Sequence, residues 1–348
     1  MGCVNGTSLW LRAETRPTER RTPLVPDDAR KLVAAGVAVT VENSQRRCFP
    51  IGEYEAAGCH VAEEGAWVDA PDDAVVLGLK ELPDEPATLR HTHVFFGHAF
   101  KEQPGAEPLL RRFRDGGGTL LDLEYLVDGT GRRLAAFGYW AGYLGAALAV
   151  LHTSGTLTAP LTGFTREDLD AALAGAGAGT LATLVTGALG RSGRGARDAL
   201  AVSGITPTCW DLDETRELDK GALLAHDVLV NAVLATGPGR PFVDESDVAD
   251  PARRLATIAD VSCDVGGPYN VLPIYDSTTT WAQPVRRLSD APPLDLIAID
   301  NLPSLLPFEA SVDFSAQLAP LLPSIGQPES AWNTALASFR AAANPVAP

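Results

Sequence analysis

The sequence has few cysteines, and they show no pattern that binds metal or forms a disulfide framework. The five cysteines are odd in number, and no C-x-x-C pair occurs. This excludes a disulfide-stapled scaffold and gives no zinc-ligand spacing. No pair of histidines has the spacing of a helical metal site, so we predict that the protein holds no metal. Reduced thiols are typical of the cytoplasm, and we expect the protein there.

Long hydrophobic runs are also missing. No stretch reaches the roughly 20 apolar residues that a membrane-spanning helix needs. Residues 134–151 come closest, but three glycines interrupt them, and we interpret them as a buried helix. The start, MGCVNGTSLW, lacks the basic residues and the apolar segment of a secretory signal, and lipidation of its Met-Gly-Cys terminus is a minor alternative. We therefore expect no association with a membrane.

Positive charge is scarce. The chain has 28 lysines and arginines against 44 aspartates and glutamates, which gives a formal net charge of −16. Such a chain repels a phosphate backbone, and this argues against nucleic-acid binding. The clearest basic cluster, residues 16–21, is short and contains Glu19. We predict that the partners of the protein are small molecules.

The sequence does contain an alternation of strand-like and helix-like segments, which predicts an α/β fold. In the first half, apolar runs predict parallel strands at residues 9–13, 37–42, 74–80, 93–100 and 119–125, with a helix at 26–35. A helix follows at 139–152, and residues 153–179 suggest a helical segment with a linker. The second half predicts strands at 182–186, 208–212, 228–233, 257–261 and 294–299, and residues 311–348 have helical periodicity. Two such halves in 348 residues predict two domains.

A glycine-rich turn in the second half is the most specific local signal. Gly187, Gly190 and Gly193 follow a predicted strand and open a predicted helix. Glycines there let the backbone approach a pyrophosphate, and the helix N-terminus offers unpaired N–H groups. Asp211 ends the next predicted strand, where an acid accepts hydrogen bonds from both adenosine ribose hydroxyls and repels a 2′-phosphate. The turn predicts NAD rather than NADP, although its G-x-x-G-x-x-G spacing also occurs in plain turns.

Several cations lie at predicted strand ends in the first half, which is unusual in so acidic a chain. They are Arg21, Lys80, His98, Lys101 and Arg133. Arginine binds carboxylates through a bidentate fork, so the set predicts a di- or tricarboxylate ligand. Lys80 and His98 in one cleft could carry protons near neutral pH if burial and neighbouring charges shift their pKa values. Each residue taken alone is better explained as a surface ion-pair partner, a solvated lysine or a core histidine.

These segments together resemble the lysine-forming saccharopine dehydrogenases over almost the whole chain. The matching motifs occur in the order of that family: residues 11–17 (LRAETRP) with Glu19 and Arg21, 78–81 (GLKE), 98–103 (HAFKEQ), 121–125 (LDLEY), 131–133 (GRR), 135–138 (AAFG), 187–191 (GALGR), 260–262 (DVS) and 299–307 (IDNLPSLLP). The wider alanine dehydrogenase relatives share the architecture but fewer of these motifs.

The resemblance implies two Rossmann-like domains with parallel sheets and an active-site cleft between them. It assigns residues 1–137 and about 302–348 to a discontinuous substrate and catalytic domain, and residues 138–301 to an NAD-binding domain. The implied reaction is the oxidative deamination of saccharopine by NAD to L-lysine and 2-oxoglutarate, or its reverse. We expect a monomer.

The resemblance also implies a role for individual residues. Lys80 and His98 would form the acid–base pair: one manages the proton on the secondary amine, and the other activates the water that adds to the imine. The implied substrate-binding residues are Arg21, Lys101, Gln103, Arg133 and Phe137. The implied cofactor-binding residues are Gly187, Gly190, Arg191, Asp211, Thr215, Val261 and Asp300.

The sequence departs from the family pattern at Phe308, where a basic residue is expected, and at Asn301, where a histidine is expected. These departures leave open a related opine-type dehydrogenase that joins 2-oxoglutarate to a different amine. An alanine-dehydrogenase-like deaminase is less favoured, because pyruvate would leave the extra carboxylate-binding cations unused. A non-catalytic NAD-binding sensor is the alternative of a different class, and the presence of Lys80 and His98 argues against it.

Overall fold

A computed structural model describes residues 8–100 and 105–343 of the chain. The chain divides into two compact units: Met1–Ala136 with Pro307–Pro348, and Phe137–Leu306. Each unit contains one six-stranded sheet that is wholly or mostly parallel. The predicted α/β fold is therefore confirmed.

The sheet of the first unit is entirely parallel. Its strands are β1 (Ser8–Leu11), β2 (Ala38–Glu42), β3 (His60–Ala62), β4 (Ala74–Leu77), β5 (Thr92–Phe95) and β6 (Thr119–Asp122). They lie in the order β3-β2-β1-β4-β5-β6, which is the order of a doubly wound dinucleotide-binding sheet. The strands predicted at 74–80 and 93–100 end earlier, at Leu77 and Phe95, and β3 was not predicted. The residues past these two strand ends form loops at the carboxyl edge of the sheet.

Helices α1 (Pro26–Ala34), α2 (Ile51–Ala56) and α3 (Ala106–Gly116) belong to the same unit. Helix α1 begins with a proline followed by Asp27 and Asp28, which suits the unpaired N–H groups and positive dipole end of a helix start. It has Gly36 just past its end, at a φ of 89°, a left-handed conformation that favours glycine.

The sheet of the second unit has one antiparallel edge. Its strands are β7 (Thr183–Thr186), β8 (Thr208–Trp210), β9 (Val228–Asn231), β10 (Thr257–Asp260), β11 (Arg286–Asp290) and β12 (Pro293–Ile297). They lie in the order β11-β12-β10-β9-β7-β8, and only β11 runs antiparallel to its neighbour. The sequence did not predict β11, because the half-exposed segment RRLSD carries no apolar run.

The helices of this unit are α4 (Gly138–Thr153), α5 (Arg166–Gly175), α6 (Arg191–Val202), α7 (Leu212–Arg216), α8 (Lys220–Leu224) and α9 (Glu245–Val248). Leu212 was predicted as the end of a strand, and this was wrong, because Asp211 caps α7 and Leu212 begins it. Within residues 8–100 and 105–343, no helix combines the length and the apolar character that crossing a bilayer requires.

Helix α4 is apolar on nearly all sides and buried, as predicted for residues 134–151. Its glycines let neighbouring backbone approach closely. A Cβ atom on Gly142 would lie 1.7 Å from the carbonyl oxygen of Ser192, and one on Gly145 would lie 2.5 Å from Cγ2 of Val261. Helix α4 therefore packs directly against the start of α6, the helix that follows the glycine-rich turn.

After the second unit the chain returns to the first as α10 (Pro307–Leu318) and α11 (Trp332–Ala343). Two serines of α10 hold the loop that precedes α1. The Ser311 hydroxyl oxygen accepts a hydrogen bond from the Thr22 N–H at 2.9 Å, and that of Ser315 accepts one from the Val25 N–H at 3.0 Å. Serine appears here because two main-chain donors would otherwise be buried without a partner.

His93, in the middle of β5, is a buried histidine surrounded by aromatic rings. Its exposed fraction is 0%, and the rings of Trp67 and Phe113 lie 5.2 and 5.4 Å away. Neither ring nitrogen has a hydrogen-bond partner in the part of the chain that the structure describes. Burial, reinforced by the nearby charge of Arg12, lowers the pKa of His93 well below its usual value.

We expect His93 to make the protein less stable as the pH falls. The side chain is neutral when folded but takes up a proton on unfolding below its ordinary pKa of about 6.5. Each pH unit well below that value therefore costs about 1.4 kcal/mol of unfolding free energy. His93→Leu should remove this part of the pH dependence between pH 7.5 and 5, measured by denaturant unfolding. His60→Leu, at an exposed position of β3, is the control, and an unchanged slope in His93→Leu would contradict the prediction.

Candidate active site

Lys80 lies at the carboxyl edge of the first sheet, shortly after β4 ends at Leu77. The main chain of Lys80 is held on both sides: its N–H donates to Oε2 of Glu14 at 3.0 Å, and its carbonyl accepts from the guanidinium of Arg12. Its positive charge acts on His98 and on Glu19. Lys80 therefore lies at the sheet edge where His98 follows the adjacent parallel strand β5.

His98 lies at the same edge, in the loop after β5, with a left-handed φ of 48°. Its backbone N–H donates to Oδ2 of Asp122 at 3.1 Å, and its Nδ1 lies 3.7 Å from Oε1 of Glu124. The nearby carboxylate of Glu124 raises the pKa of His98, while burial and Lys80 partly oppose this rise. Asp122 lies at the end of β6, where burial raises its pKa to about 6. Two carboxyl groups thus favour the protonated form of His98.

Arg21 is buried, with an exposed fraction of 4%, and its guanidinium pairs with the carboxylate of Glu19. Nε and Nη2 donate to the two oxygens of Glu19 at 2.8 and 2.6 Å. Burial alone would raise the pKa of Glu19, but Arg21 lowers it to about 2. A substrate carboxylate would therefore have to share this guanidinium with Glu19. The sequence reasoning gave Glu19 no role of its own.

The other predicted substrate residues are spread along the chain. Arg133 is exposed and pairs with Val127 in a short antiparallel bridge. Phe137 is half-buried and directly precedes α4, at the start of the second unit. Lys101 and Gln103 lie outside the described residues.

The glycine-rich turn joins β7 to α6 in the second sheet. Gly187 has a φ of 68°, and a Cβ atom there would lie 2.9 Å from the carbonyl oxygen of Ala232. Gly190 caps α6 with an extended backbone, and Arg191 is the first residue of that helix. A Cβ atom on Gly193 would lie 2.2 Å from the carbonyl oxygen of Gly187. The twelve-residue helix α6 thus begins against the turn with its N–H groups directed toward the carboxyl edge.

Asp211 directly follows β8 and fastens the turn to the neighbouring strand. Its Oδ2 accepts from the Leu189 N–H at 2.8 Å, and its Oδ1 accepts from the Leu212 N–H at 2.9 Å. Thr215, one turn into α7, donates its hydroxyl to the Asp211 carbonyl at 2.7 Å. Two of the predicted cofactor residues are therefore in direct contact, and one of them holds the glycine turn.

A network of buried polar side chains lies beneath the same edge. Asn231 accepts from Thr186 at 2.8 Å and donates to Asp260 at 3.0 Å, and Asp260 also accepts from Tyr275 at 2.6 Å. Val261 follows Asp260, and its N–H donates to the Asn231 carbonyl at 2.9 Å. The sequence reasoning did not identify this network, although polar residues at the ends of apolar strands were its available signal.

Asp300 is an exposed residue after β12. Its charge acts on Cys263, the thiol that follows Ser262 at the end of β10, where burial is the main cause of a raised pKa. Because β12 runs parallel to β10 and next to it, Asp300 lies at the same sheet edge as the residues that follow β10.

Comparison with known proteins gives a consistent result. Residues 10–144 match the family model of the alanine dehydrogenase/PNT N-terminal domain. The chain is 41% identical to the saccharopine dehydrogenase (NAD(+), L-lysine-forming) of Emericella nidulans, over 95% of this chain and 96% of that protein. It is 40% identical to the Yarrowia lipolytica protein of the same name, over 95% of this chain and 96% of that protein. A shorter match, 33% identical over 41% of this chain and 15% of that protein, is to the mitochondrial alpha-aminoadipic semialdehyde synthase of Rattus norvegicus.

Solved structures agree on the fold. An L-alanine dehydrogenase superposes with a TM-score of 0.69 at 18% identity, covering 96% of this chain and 94% of that one. A transhydrogenase from Sinorhizobium meliloti superposes with a TM-score of 0.62 at 14% identity, covering 91% and 94%. Fold and sheet order thus define an α/β protein with the fold of alanine dehydrogenase and transhydrogenase. Among proteins of this fold, the chain belongs to the family of NAD(+)-dependent, L-lysine-forming saccharopine dehydrogenases, as the identities over nearly its full length establish.

Proposed function

We propose that this chain interconverts saccharopine and water with L-lysine and 2-oxoglutarate, using NAD. In the oxidative direction, saccharopine, NAD⁺ and water give lysine, 2-oxoglutarate, NADH and a proton. Family membership supports the reaction. The observation that carries the proposal is that Lys80 and His98 follow the carboxyl ends of β4 and β5, two adjacent parallel strands of one sheet.

The residues of the second unit fit NAD. A nucleotide pyrophosphate needs a turn without Cβ atoms and a helix start that presents N–H groups. Gly187 and Gly193 supply the first, and the start of α6 supplies the second. Asp211 stands at the end of the neighbouring strand, where its carboxylate can accept from the ribose hydroxyls. When bound, NAD supplies the hydride acceptor, which is chemistry that no side chain provides.

In this proposal, Lys80 and His98 take up and release the protons of the reaction. The secondary amine of saccharopine must lose a proton before oxidation, and the resulting imine must take up water before the lysine amine leaves. A positioned lysine and a positioned histidine are side chains that can transfer protons in such steps. Glu124 raises the pKa of His98, so His98 holds a proton at a higher pH than a histidine without a carboxylate neighbour. We assign the proton of the amine to Lys80 and the activation of water to His98.

Substrate carboxylates are assigned to the arginines and their neighbours. Arg21 is held rigidly by Glu19, which fixes the guanidinium for a ligand that shares it. Arg133 presents an exposed guanidinium. Lys101 and Gln103 complete the proposed carboxylate-binding set, and Phe137 supplies an apolar side. The assignments of Arg191, Thr215, Val261 and Asp300 to the cofactor remain part of this proposal.

One observation favours a second candidate, an opine-type dehydrogenase that takes an amine other than lysine. Phe308, at the start of α10, is 54% exposed and stacks on Phe49 with ring centroids 4.9 Å apart. The residue before Phe49, Cys48, donates its N–H to the Arg20 carbonyl at 2.9 Å, so this aromatic pair adjoins the segment that carries Arg21. An exposed aromatic surface there suits an amine with an apolar end.

The test is NADH oxidation with 2-oxoglutarate and a panel of amines: lysine, ornithine, alanine and phenylalanine. We expect lysine to give a kcat/KM at least about tenfold above the other amines, because ornithine is one methylene shorter and alanine and phenylalanine lack the side-chain amine. Pyruvate with ammonia is the control and should give no turnover. Preference for phenylalanine would favour the opine-type alternative, and preference for pyruvate and ammonia would overturn the substrate assignment.

A further inference from the structure

Two buried charged side chains just past β1, those of Arg12 and Glu14, both point at the main chain of Lys80. Glu14 accepts from the N–H of Lys80 at 3.0 Å through Oε2. Arg12 donates through Nη2 to the carbonyl of the same residue. The two peptide groups that flank the Cα of Lys80 are therefore held by opposite charges.

The side chain of Arg12 is buried along its whole course to the Lys80 carbonyl. Its exposed fraction is 2%, and its guanidinium lies over the ring of Phe95, 5.8 Å from the centroid. A Cβ atom on Gly78 would lie 2.4 Å from Nε of Arg12, so the arginine reaches Lys80 only because residue 78 is glycine. Nε itself has no hydrogen-bond partner among residues 8–100 and 105–343, and the terminal nitrogens make the polar contacts.

Glu14 holds the same segment from the other side. Its Oε1 accepts from the Leu79 N–H at 2.7 Å, in addition to the bond from Lys80. Its Oε2 lies 3.5 Å from Nη1 of Arg12, so the two side chains also pair with each other. Burial raises the pKa of Glu14, while Arg12 and the two N–H groups oppose that rise. Burying an ion pair costs desolvation free energy. A loop that only connects two elements does not require such a pair.

We propose that Arg12 and Glu14 are positioning residues that fix the main chain of Lys80 so that its amine stands at one place for proton transfer. This inference rests on the proposed function of Lys80. A lysine side chain has four flexible bonds, and fixing its Cα fixes the point from which they extend, so that backbone movement adds no further displacement to the amine. Neither Arg12 nor Glu14 needs to touch substrate for this role, because both act through the Lys80 peptide groups.

The sharpest test is Arg12→Lys, which keeps the charge and much of the volume but cannot donate to the Lys80 carbonyl and Glu14 together. We expect kcat to fall about 10- to 100-fold, because a displacement near 1 Å of a proton-transferring group has a cost of that order. The Kd for NADH should stay within about twofold. The midpoint of the pH–rate profile that belongs to Lys80 should move, since its distance to His98 and Glu81 changes. Glu14→Gln keeps one acceptor oxygen and should give a smaller loss in the same direction.

Arg253→Lys is the matched control. Arg253 is 5% exposed and donates to main-chain carbonyls, among them that of Pro293 at 3.0 Å. Its Nε, like that of Arg12, has no hydrogen-bond partner in the described part of the chain. It belongs to the second unit, near the starts of β10 and β12. Arg253→Lys should lower the melting temperature as much as Arg12→Lys does, with kcat and the pH profile unchanged.

The outcomes separate this inference from the function on which it rests. A fall in kcat with a moved pH profile in Arg12→Lys alone supports the positioning role. Wild-type kcat in Arg12→Lys, or an equal loss in Arg253→Lys, overturns it. If Arg12→Lys does not fold, Glu14→Gln decides by the same readouts. Full activity of Lys80→Met would instead remove Lys80 from the chemistry and refute the proposed function of that residue.

Discussion

Replacing Lys80 by methionine should lower kcat by about 10²- to 10⁴-fold, the range that a lost general acid–base group gives. Methionine keeps the length and the apolar part of the side chain, so the loss isolates the amine. NADH affinity should change by less than about twofold, because the glycine turn and Asp211 belong to the second unit. Stopped-flow turnover of NADH and fluorescence titration of NADH measure the two quantities separately.

Lys31→Met controls for the removal of a positive charge. Lys31 lies on α1 and is largely exposed, with its Nζ 2.7 Å from Oδ1 of Asp28. Pairs of this exposed kind contribute about 0–1 kcal/mol, and we expect unchanged kinetics in this variant. Equal turnover in Lys80→Met and the wild-type protein would show that Lys80 carries no proton. Partial recovery of the Lys80→Met rate by added primary amines, increasing with their basicity, would strengthen the assignment.

The sequence was sufficient to predict the parts of this molecule that depend on local pattern. Buried parallel strands such as β4 are continuous apolar runs, and a glycine-rich turn between a strand and a helix has a recognisable spacing. The predictions were wrong about where some strands end. Residues 78–80 were predicted to extend β4, yet the strand stops at Leu77, and beyond it Glu14 accepts from the N–H groups of Leu79 and Lys80 while Arg12 donates to the Lys80 carbonyl.

The partners of the predicted site residues could not be read from the sequence. Glu14 and Lys80 are 66 positions apart, and His98 and Asp122 are 24 apart. Such pairs meet only because parallel strands bring their carboxyl ends to one edge, and the strand order that decides which ends are neighbours is not visible in a local pattern. The pairing of Arg21 with Glu19 is local, but its depth of burial is not. The sequence thus supports a set of candidate charged residues, which stays a prediction, whereas the fold determines what each charge contacts.

The second large effect should come from Gly193→Ala, which we expect to weaken NADH binding by at least about 100-fold. The new Cβ atom would lie 2.2 Å from the Gly187 carbonyl oxygen and 2.5 Å from Cα of Ala188. Both contacts are with backbone, so the turn itself must move away from the start of α6. Hydrogen bonds to a charged group contribute about 1.5–3 kcal/mol each, and the loss of two accounts for a factor of this size.

Two further glycine variants serve as comparisons for Gly193→Ala. A Cβ atom on Gly190 would meet only the Gly187 carbonyl oxygen at 3.3 Å, and one on Gly175, at the end of α5, would meet nothing within 4 Å. The Kd for NADH should therefore rise steeply in Gly193→Ala and not at all in Gly175→Ala, while any rise in Gly190→Ala, where the protein backbone is hardly disturbed, reports contact of the new Cβ atom with the pyrophosphate. Calorimetric titration gives the three values, and melting curves without NADH show whether each variant is folded. Wild-type affinity in a folded Gly193→Ala protein would mean that NADH does not lie against this turn, and the cofactor site would have to be sought elsewhere in the second unit.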